Sequence, residues 1–177
     1  RMFNFGVERD MLSANPCVAV KAVAKENRRD RLLSIDEIRH IWRALDEGRR
    51  LENGKSAIQM SANTRLVLKL QLATAQRKGE IISAEWSEID LVSGWWTIPA
   101  EKAKNGLTHR VPISKLALEL LSEVKKLSCN SRWLFPSDKT DSHITGAAID
   151  HAVRRSVFDD VKHWTPHDAR RAAASHM

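Results

Sequence analysis

Apolar residues recur every three or four positions along much of the chain, the spacing that gives an α-helix one buried face. In SIDEIRHIWRAL, residues 34–45, Ser34 and Glu37 have the spacing of a capping box, which predicts a helix start. The apolar residues that follow fall on one face of this helix: Ile35, Ile38, Ile41, Trp42 and Leu45.

Residues 61–75 are apolar almost all round, which predicts a helix at the centre of a core. RKGEIISA, residues 77–84, continues as a short helix. Ser114 is positioned to cap a helix over KLALELLSEVKKL, and two more helices are predicted in ITGAAIDHAVRRSVF and from Thr165 onward. The face predicted to be buried in the Ser114-capped helix consists of Leu116, Leu120, Leu121, Val124 and Leu127.

The period of the pattern changes between residues 87 and 113. Short runs rich in β-forming residues predict three antiparallel strands at about 87–91, 95–99 and 109–113, with turns at Ser93-Gly94 and Asn105-Gly106. The predicted fold class is therefore α+β, mainly helical with one small three-stranded antiparallel sheet.

The first thirty residues have a different character. Residues 1–12 are typical of the end of a helix, Pro16 interrupts it, and the charged run up to residue 31 suits a linker. We therefore expect residues 1–30 to be the end of a preceding domain and its linker, and residues 31–177 to form the main domain.

Composition narrows the possible partners. Lys and Arg number 29 against 22 Asp and Glu, giving a net charge of +7 and a pI near 9.7, which favours a polyanion such as nucleic acid. The two cysteines are far apart and form no CxxC pair, which argues against a disulfide framework or a structural zinc. No apolar run reaches membrane-spanning length and no secretory segment is visible, so we expect a cytoplasmic protein without a membrane partner.

Two stretches carry candidate anion-binding chemistry. In TPHDARR, Thr165 and Asp168 form a capping box, so that His167 lies in the first turn of a helix and Arg170 follows on the same face. A helix N-terminus already favours anions, and these two side chains would add to it. The alternative is a structural histidine and a surface-paired arginine.

In LATAQRKGEI, the core helix would hold Arg77 rigidly while Glu80 orients it, although an ordinary helix end would have the same residues. In AEKAKNGLTHRVPIS, Lys102 and Lys104 lie beside a turn from which either could reach a groove, although charged turn residues usually serve solubility. None of these signals decides the function alone.

Taken together, TAQRKGEI, WSEIDLVSGWWTIPAEKAKNGLTHRVPIS and TPHDARRAAASHM resemble the catalytic domain of the tyrosine recombinases, most of all the phage and prophage integrases. The resemblance runs from about Leu32 to the last residue, and HDARR and KNGLTHRVPIS are its most specific parts. The first seventeen residues resemble the end of that family's core-binding domain.

The resemblance implies DNA cleavage without metal, ATP or other cofactor, through attack by a tyrosine and a 3′-phosphotyrosine intermediate. It implies that Arg77 and Arg170 bind the scissile phosphate and that Lys104, preferred to Lys102, is the general acid. His167 would assist proton transfer, and Glu80 would have a supporting role. The implied partners are double-stranded DNA at attachment sites and other recombinase protomers.

The chain departs from the family pattern because it contains no tyrosine. We therefore expect these residues to be a truncated recombinase domain that binds DNA without cleaving it, compatible with a monomer. Three alternatives stay open. They are a DNA-binding module without chemistry, a metal-dependent nuclease using His163, His167 and Asp168, and a helical protein-interaction domain that makes no use of the basic excess.

Overall fold

The computed structural model describes residues 2–20, 31–47, 56–159 and 161–177. The chain divides into two compact units, Arg1–Asp30 and Arg31–Met177. In the first, α1 (Met2–Glu8) is followed by a turn in which the Met11 N–H donates to the Gly6 carbonyl oxygen at 2.8 Å. Most of the charged run predicted as a linker lies outside the described residues, and the assignment of residues 1–30 to a preceding domain stays a prediction.

The second unit carries six further α-helices and one small sheet within its described residues, which confirms the predicted fold class. In chain order the elements are α2 (Ile35–Glu47), α3 (Ala62–Thr74), α4 (Lys78–Ile82), a 3₁₀ turn (Trp86–Glu88), β1 (Ile89–Asp90), β2 (Trp95–Ile98), β3 (His109–Pro112), α5 (Lys115–Leu127), α6 (Gly146–Arg155) and α7 (Pro166–His176).

Helix α3 is the centre of the core, as its apolar pattern predicts. It packs against α2, α4, α5 and α7, and its leucines and Val67 are buried. The hydroxyl of Ser61 caps its start by accepting from the Thr64 N–H at 3.2 Å. Its end is marked by Ala75, which takes a left-handed conformation at φ 53° and ψ 21° and turns the chain towards α4. Helix α3 therefore fixes the position of the residues that directly follow Ala75.

The sheet has the order β1-β2-β3 with antiparallel neighbours, and Trp96 pairs with Val111 across its centre. Its first strand is shorter than predicted because residues 86–88 form the 3₁₀ turn. The Asn105-Gly106 turn is not a two-residue hairpin turn; it lies within a longer connection, residues 99–108, between β2 and β3. That connection extends beyond the sheet and can contact other elements of the domain.

Helix starts agree closely with the sequence signals, whereas some predicted faces are less buried than expected. Ser34 and Glu37 form the predicted capping box of α2, with N–H to oxygen distances of 3.0 and 3.1 Å. The residues expected to be buried but found 42–49% exposed lie in first or last helical turns: Ile35, Leu116 and Leu127. At these three positions the core does not extend to the end of the helix. None of the helices among the described residues is long and apolar enough to cross a membrane.

Candidate functional site

A cleft of about 510 Å³ collects side chains from α3, α4, α6, α7 and the β2–β3 connection. Among the residues that line it are five basic side chains and one carboxylate: Arg77, Lys78, Lys104, Arg154, Arg170 and Asp150. His163 and His167 line it as well. The four residues predicted to be catalytic, which come from three separate parts of the sequence, therefore face the same space.

Arg77 lies in the turn between α3 and α4. Its backbone N–H donates to Glu80 Oε2 at 2.9 Å and its guanidinium Nη1 donates to Glu80 Oε1 at 2.8 Å. Glu80 is almost completely buried, whereas the Arg77 side chain stays 39% exposed towards the cleft. Because the Glu80 carboxylate accepts from both the backbone and the side chain of Arg77, it holds the guanidinium in one orientation. The remaining N–H groups of the guanidinium stay available to an anion.

The amide side chain of Gln76 supports the same turn. Its Nε2 donates to the Thr74 carbonyl oxygen at 2.9 Å, and its Oε1 lies 3.2 Å from His109 Nε2 on β3. Gln71 from α3 donates to the Gln76 carbonyl oxygen at 3.3 Å. The residues before Arg77 are thus bound to both the core helix and the sheet.

Helix α7 supplies further residues of the cleft. Asp168 is buried and its Oδ2 accepts from the Thr165 N–H and hydroxyl at 2.9 and 2.8 Å, so that the predicted capping box is present. His167 is exposed in the first turn. The Nε of Arg170 is buried and has no hydrogen-bond partner among the described residues. A buried guanidinium N–H without an acceptor favours an anion at this place.

The two lysines of the β2–β3 connection have different environments. Lys104 is exposed and lines the cleft. Lys102 does not line it: its Nζ donates to the Ser83 carbonyl oxygen at 2.7 Å, to Glu85 Oε1 at 3.0 Å and to the carboxylate of Glu88. The geometry favours Lys104 as the lysine that reaches a ligand.

Three charged residues of the cleft were not singled out by sequence reasoning. Lys78 Nζ donates to Asp150 Oδ1 at 2.6 Å and to the Gly146 carbonyl oxygen at 3.1 Å, which joins α4 to α6. Arg154 follows one turn after Asp150 and donates to its carbonyl oxygen at 3.4 Å. Lys78 stands beside Arg77 in the sequence, but nothing in the sequence indicates that α6 packs against α4.

The chemistry available to this cleft is the binding of a phosphate-like anion. Cations outnumber carboxylates, and the two arginines come from separate parts of the fold, Arg77 from the turn between α3 and α4 and Arg170 from α7, so their planar groups can contact different oxygens of one tetrahedral anion. A metal site is not supported, because the described residues contain no group of three or more His, Cys, Asp or Glu side chains placed to hold an ion. Asp168, one residue of the alternative metal site, is engaged in the α7 cap.

Comparisons with known proteins identify the family of the chain. Residues 31–177 match the model of the phage integrase family. Prophage integrase IntA of Escherichia coli K12 is 34% identical over 103 residues, which are 58% of this chain and 25% of that protein. Prophage integrase IntZ of the same strain is 29% identical over 162 residues, which are 90% of this chain and 38% of that protein.

A solved structure of a lambda integrase tetramer bound to a Holliday junction superposes with a TM-score of 0.67 over 98% of this chain and 49% of that chain, at 20% identity. The chain therefore belongs to the phage integrase family, and its main domain is of the catalytic type found in site-specific tyrosine recombinases. It spans between a quarter and about half of the length of these proteins.

Proposed function

We propose that the basic cleft binds the sugar-phosphate backbone of double-stranded DNA and that it is the strand-cleavage and rejoining site of the full-length recombinase. The observation that carries this proposal is the convergence of Arg77, Lys104, His167 and Arg170 on one cleft in a member of the phage integrase family. A DNA-binding module without chemistry would need the cations. It would not need their combination with His167 and with Lys104, which has no ion-pair partner among the described residues.

Each residue has a distinct role in the proposed reaction. Charge builds up on the non-bridging oxygens of the phosphate in the transition state, and Arg77 and Arg170 neutralise it from two sides. Lys104 protonates the departing 5′-oxygen, and His167 assists proton transfer and contacts the phosphate. Glu80 is a supporting residue because it fixes the Arg77 guanidinium without reaching the cleft itself.

The nucleophile is not among these residues, because the 177-residue chain contains no tyrosine. Covalent catalysis requires a nucleophile, so we propose that this polypeptide binds DNA and leaves its strands intact. In the full-length protein we propose that a tyrosine completes the reaction, that other recombinase protomers assemble with it on attachment sites, and that no metal or other cofactor takes part.

The first experiment measures the affinity of the polypeptide for a double-stranded oligonucleotide of arbitrary sequence as a function of salt. Arg77→Ala and Arg170→Ala should each weaken binding and reduce the slope of log K against log salt by about 0.9, the value for one phosphate contact. Arg43→Ala removes an exposed arginine on α2 that does not line the cleft, and it serves as the matched control. Unchanged slopes for both cleft variants would exclude these arginines from the DNA contact.

The second experiment addresses the chemistry. In a full-length protein that carries the nucleophile, Lys104→Ala should leave DNA affinity nearly unchanged and abolish the covalent protein–DNA product on a denaturing gel. The 177-residue polypeptide with the wild-type sequence should give no such product. Normal cleavage by the full-length Lys104→Ala protein would rule out Lys104 as the general acid.

A further inference from the structure

Lys102 uses its whole hydrogen-bonding capacity inside the protein. An ammonium group has three N–H donors, and Lys102 has three acceptors: the Ser83 carbonyl oxygen, Glu85 and Glu88. Its Nζ also lies 5.2 Å from the centre of the Trp133 ring, over its face. The side chain is 18% exposed. Lys102 therefore has no free donor for DNA, although it stands two residues from Lys104.

The charge of Lys102 is stable at neutral pH. Burial lowers the pKa of its ammonium, but hydrogen bonds to Glu88 and Glu85 and the attraction of their charges outweigh this effect and raise the pKa above 10.5. The group is thus a permanent cation between two carboxylates.

Residues 83–88 form the segment to which Lys102 donates its hydrogen bonds. This segment is fixed by further hydrogen bonds to the rest of the domain. Glu88 Oε2 accepts from the indole Nε1 of Trp96 on β2 at 3.2 Å. Trp86 Nε1 donates to the Ser128 hydroxyl at the end of α5, also at 3.2 Å. The Leu134 N–H donates to the Ala84 carbonyl oxygen at 3.0 Å. Segment 83–88 directly follows α4, the helix whose first turn contains Glu80 and is preceded by Arg77.

The β2–β3 connection also has hydrogen bonds within itself. They include those from the Lys102 and Ala103 N–H groups to the Pro99 carbonyl oxygen at 3.1 Å and from the Gly106 N–H to the Ala103 carbonyl oxygen at 2.9 Å. Ala103 is buried, whereas Lys104 and Asn105 are exposed. Lys102 and Ala103 therefore hold the connection against the domain, and the next residue projects into the cleft.

We infer that Lys102 is a positioning residue that holds the β2–β3 connection on segment 83–88 so that Lys104 faces the same cleft as Arg77. This inference rests on the proposed function for the role of Lys104, but the anchoring itself does not depend on DNA. Because segment 83–88 directly follows α4, Lys102 positions Lys104 relative to α4 and therefore relative to Arg77.

The first test uses the polypeptide without DNA. Lys102→Met keeps the length of the side chain and removes the ammonium, and Lys102→Arg keeps a cation with several donors. Lys125→Met is the matched control, because Lys125 also lies over a tryptophan, 4.5 Å from the Trp86 ring centre, but outside the connection. Amide hydrogen exchange is followed at Ala103 and Gly106, with Gly94 in the β1–β2 turn as an internal reference.

Lys102→Met should speed exchange at Ala103 and Gly106 by about tenfold or more, because opening the connection no longer breaks bonds to charged acceptors. Gly94 should be unaffected, Lys102→Arg should restore part of the protection, and Lys125→Met should match the wild type. Exchange at Ala103 and Gly106 that does not change in Lys102→Met overturns the inference. If Lys102→Met unfolds globally, exchange at Gly94 will also be faster. The anchoring is then tested by comparing exchange in Lys102→Arg, which keeps the cation, with exchange in the wild type.

The second test uses the reaction of the Lys104 amine with an acylating reagent, measured by mass spectrometry with and without a DNA duplex. Duplex DNA should protect Lys104 in the wild type and in Lys125→Met, and this protection should be lost in Lys102→Met. Protection retained in Lys102→Met overturns the positioning role. If DNA fails to protect Lys104 even in the wild type, the proposed function of the cleft fails, while the exchange result still decides whether Lys102 anchors the connection.

Discussion

The left-handed backbone conformation of Ala75 offers a direct test of how the turn after α3 positions Arg77. Ala75 ends α3 at φ 53° and ψ 21°, and its N–H donates to the Gln71 carbonyl oxygen at 2.9 Å. An L-residue with a Cβ in this conformation is strained by about 1–2 kcal/mol, and glycine is not. The turn that places Arg77 therefore contains strain that one substitution can remove.

The size of the gain follows from two opposing terms. Ala75→Gly removes the strain, but glycine gains freedom in the unfolded chain, which costs about 0.4–1 kcal/mol. The net effect is a stabilisation of about 0.5–1 kcal/mol. For a protein of this size, that corresponds to a rise in Tm of about 1–4 °C.

The assay is thermal unfolding followed by circular dichroism, with chemical denaturation to obtain the free energy of unfolding. Ala73→Gly is the matched control: it makes the same chemical change two residues earlier, within α3, where glycine should destabilise by about 0.5–1 kcal/mol. The salt slope of DNA binding should be the same in Ala75→Gly and the wild type, because the arginine keeps its position. A lower Tm for Ala75→Gly than for the wild type would refute the reasoning.

Three further predictions concern buried charges around the cleft. Asp168→Ala should lower the free energy of unfolding by about 1–3 kcal/mol in a urea titration, because the start of α7 loses its cap, and Asp168→Asn should cost less. Glu80→Gln should keep the fold, since an amide oxygen can still accept from the Arg77 N–H, but it should weaken DNA binding at low salt as the guanidinium loses its charged partner; affinity equal to the wild type would contradict this. The pKa of Lys102 is raised, so its contribution to stability is fully present below pH 10.5 and lost as pH rises through the folded-state value; wild type and Lys102→Met should differ by a constant free energy near neutrality and converge only in more alkaline solution.

Much of the helical part of the fold could be predicted because several helix starts carry their own local signal. The hydroxyls of Ser34, Ser114 and Thr165, the three predicted caps, each accept from the backbone N–H three residues on. Capping depends only on neighbouring residues, so no knowledge of distant contacts is needed. The ends of the buried faces were less predictable, because they depend on how far the partner helices extend.

The first strand was predicted less well for a similar reason. Residues 87–91 have strand-like composition, but Glu88 is drawn towards Lys102 and Trp96, and the carboxylate of Asp90 accepts from the N–H groups of Val92 and Ser93 at 3.0 and 2.9 Å. These contacts turn the chain at both ends of β1 and leave a strand of two residues. Tertiary contacts here override the local preference.

For the site, the motifs indicated which residues matter but not what surrounds them. The spacing of Thr165, His167 and Arg170 predicts one helical turn with an anion-binding character, and the structure has that turn. The contribution of Arg154 depends on α6 packing against α4 through Lys78 and Asp150, a long-range contact without a local signal. The roles of the four converging residues in catalysis stay predictions.

The cleft is built from residues that are distant in the sequence, between Gln71 in α3 and Arg170 in α7. During translation, a chain that has emerged only as far as α6 already has Arg77 and Lys104, but it lacks α7, the helix that contributes His167 and Arg170 to the cleft. The complete set of cations exists only once α7 has left the ribosome and packed onto α3. Until α7 emerges, a nascent chain therefore lacks His167 and Arg170 and has an incomplete cleft.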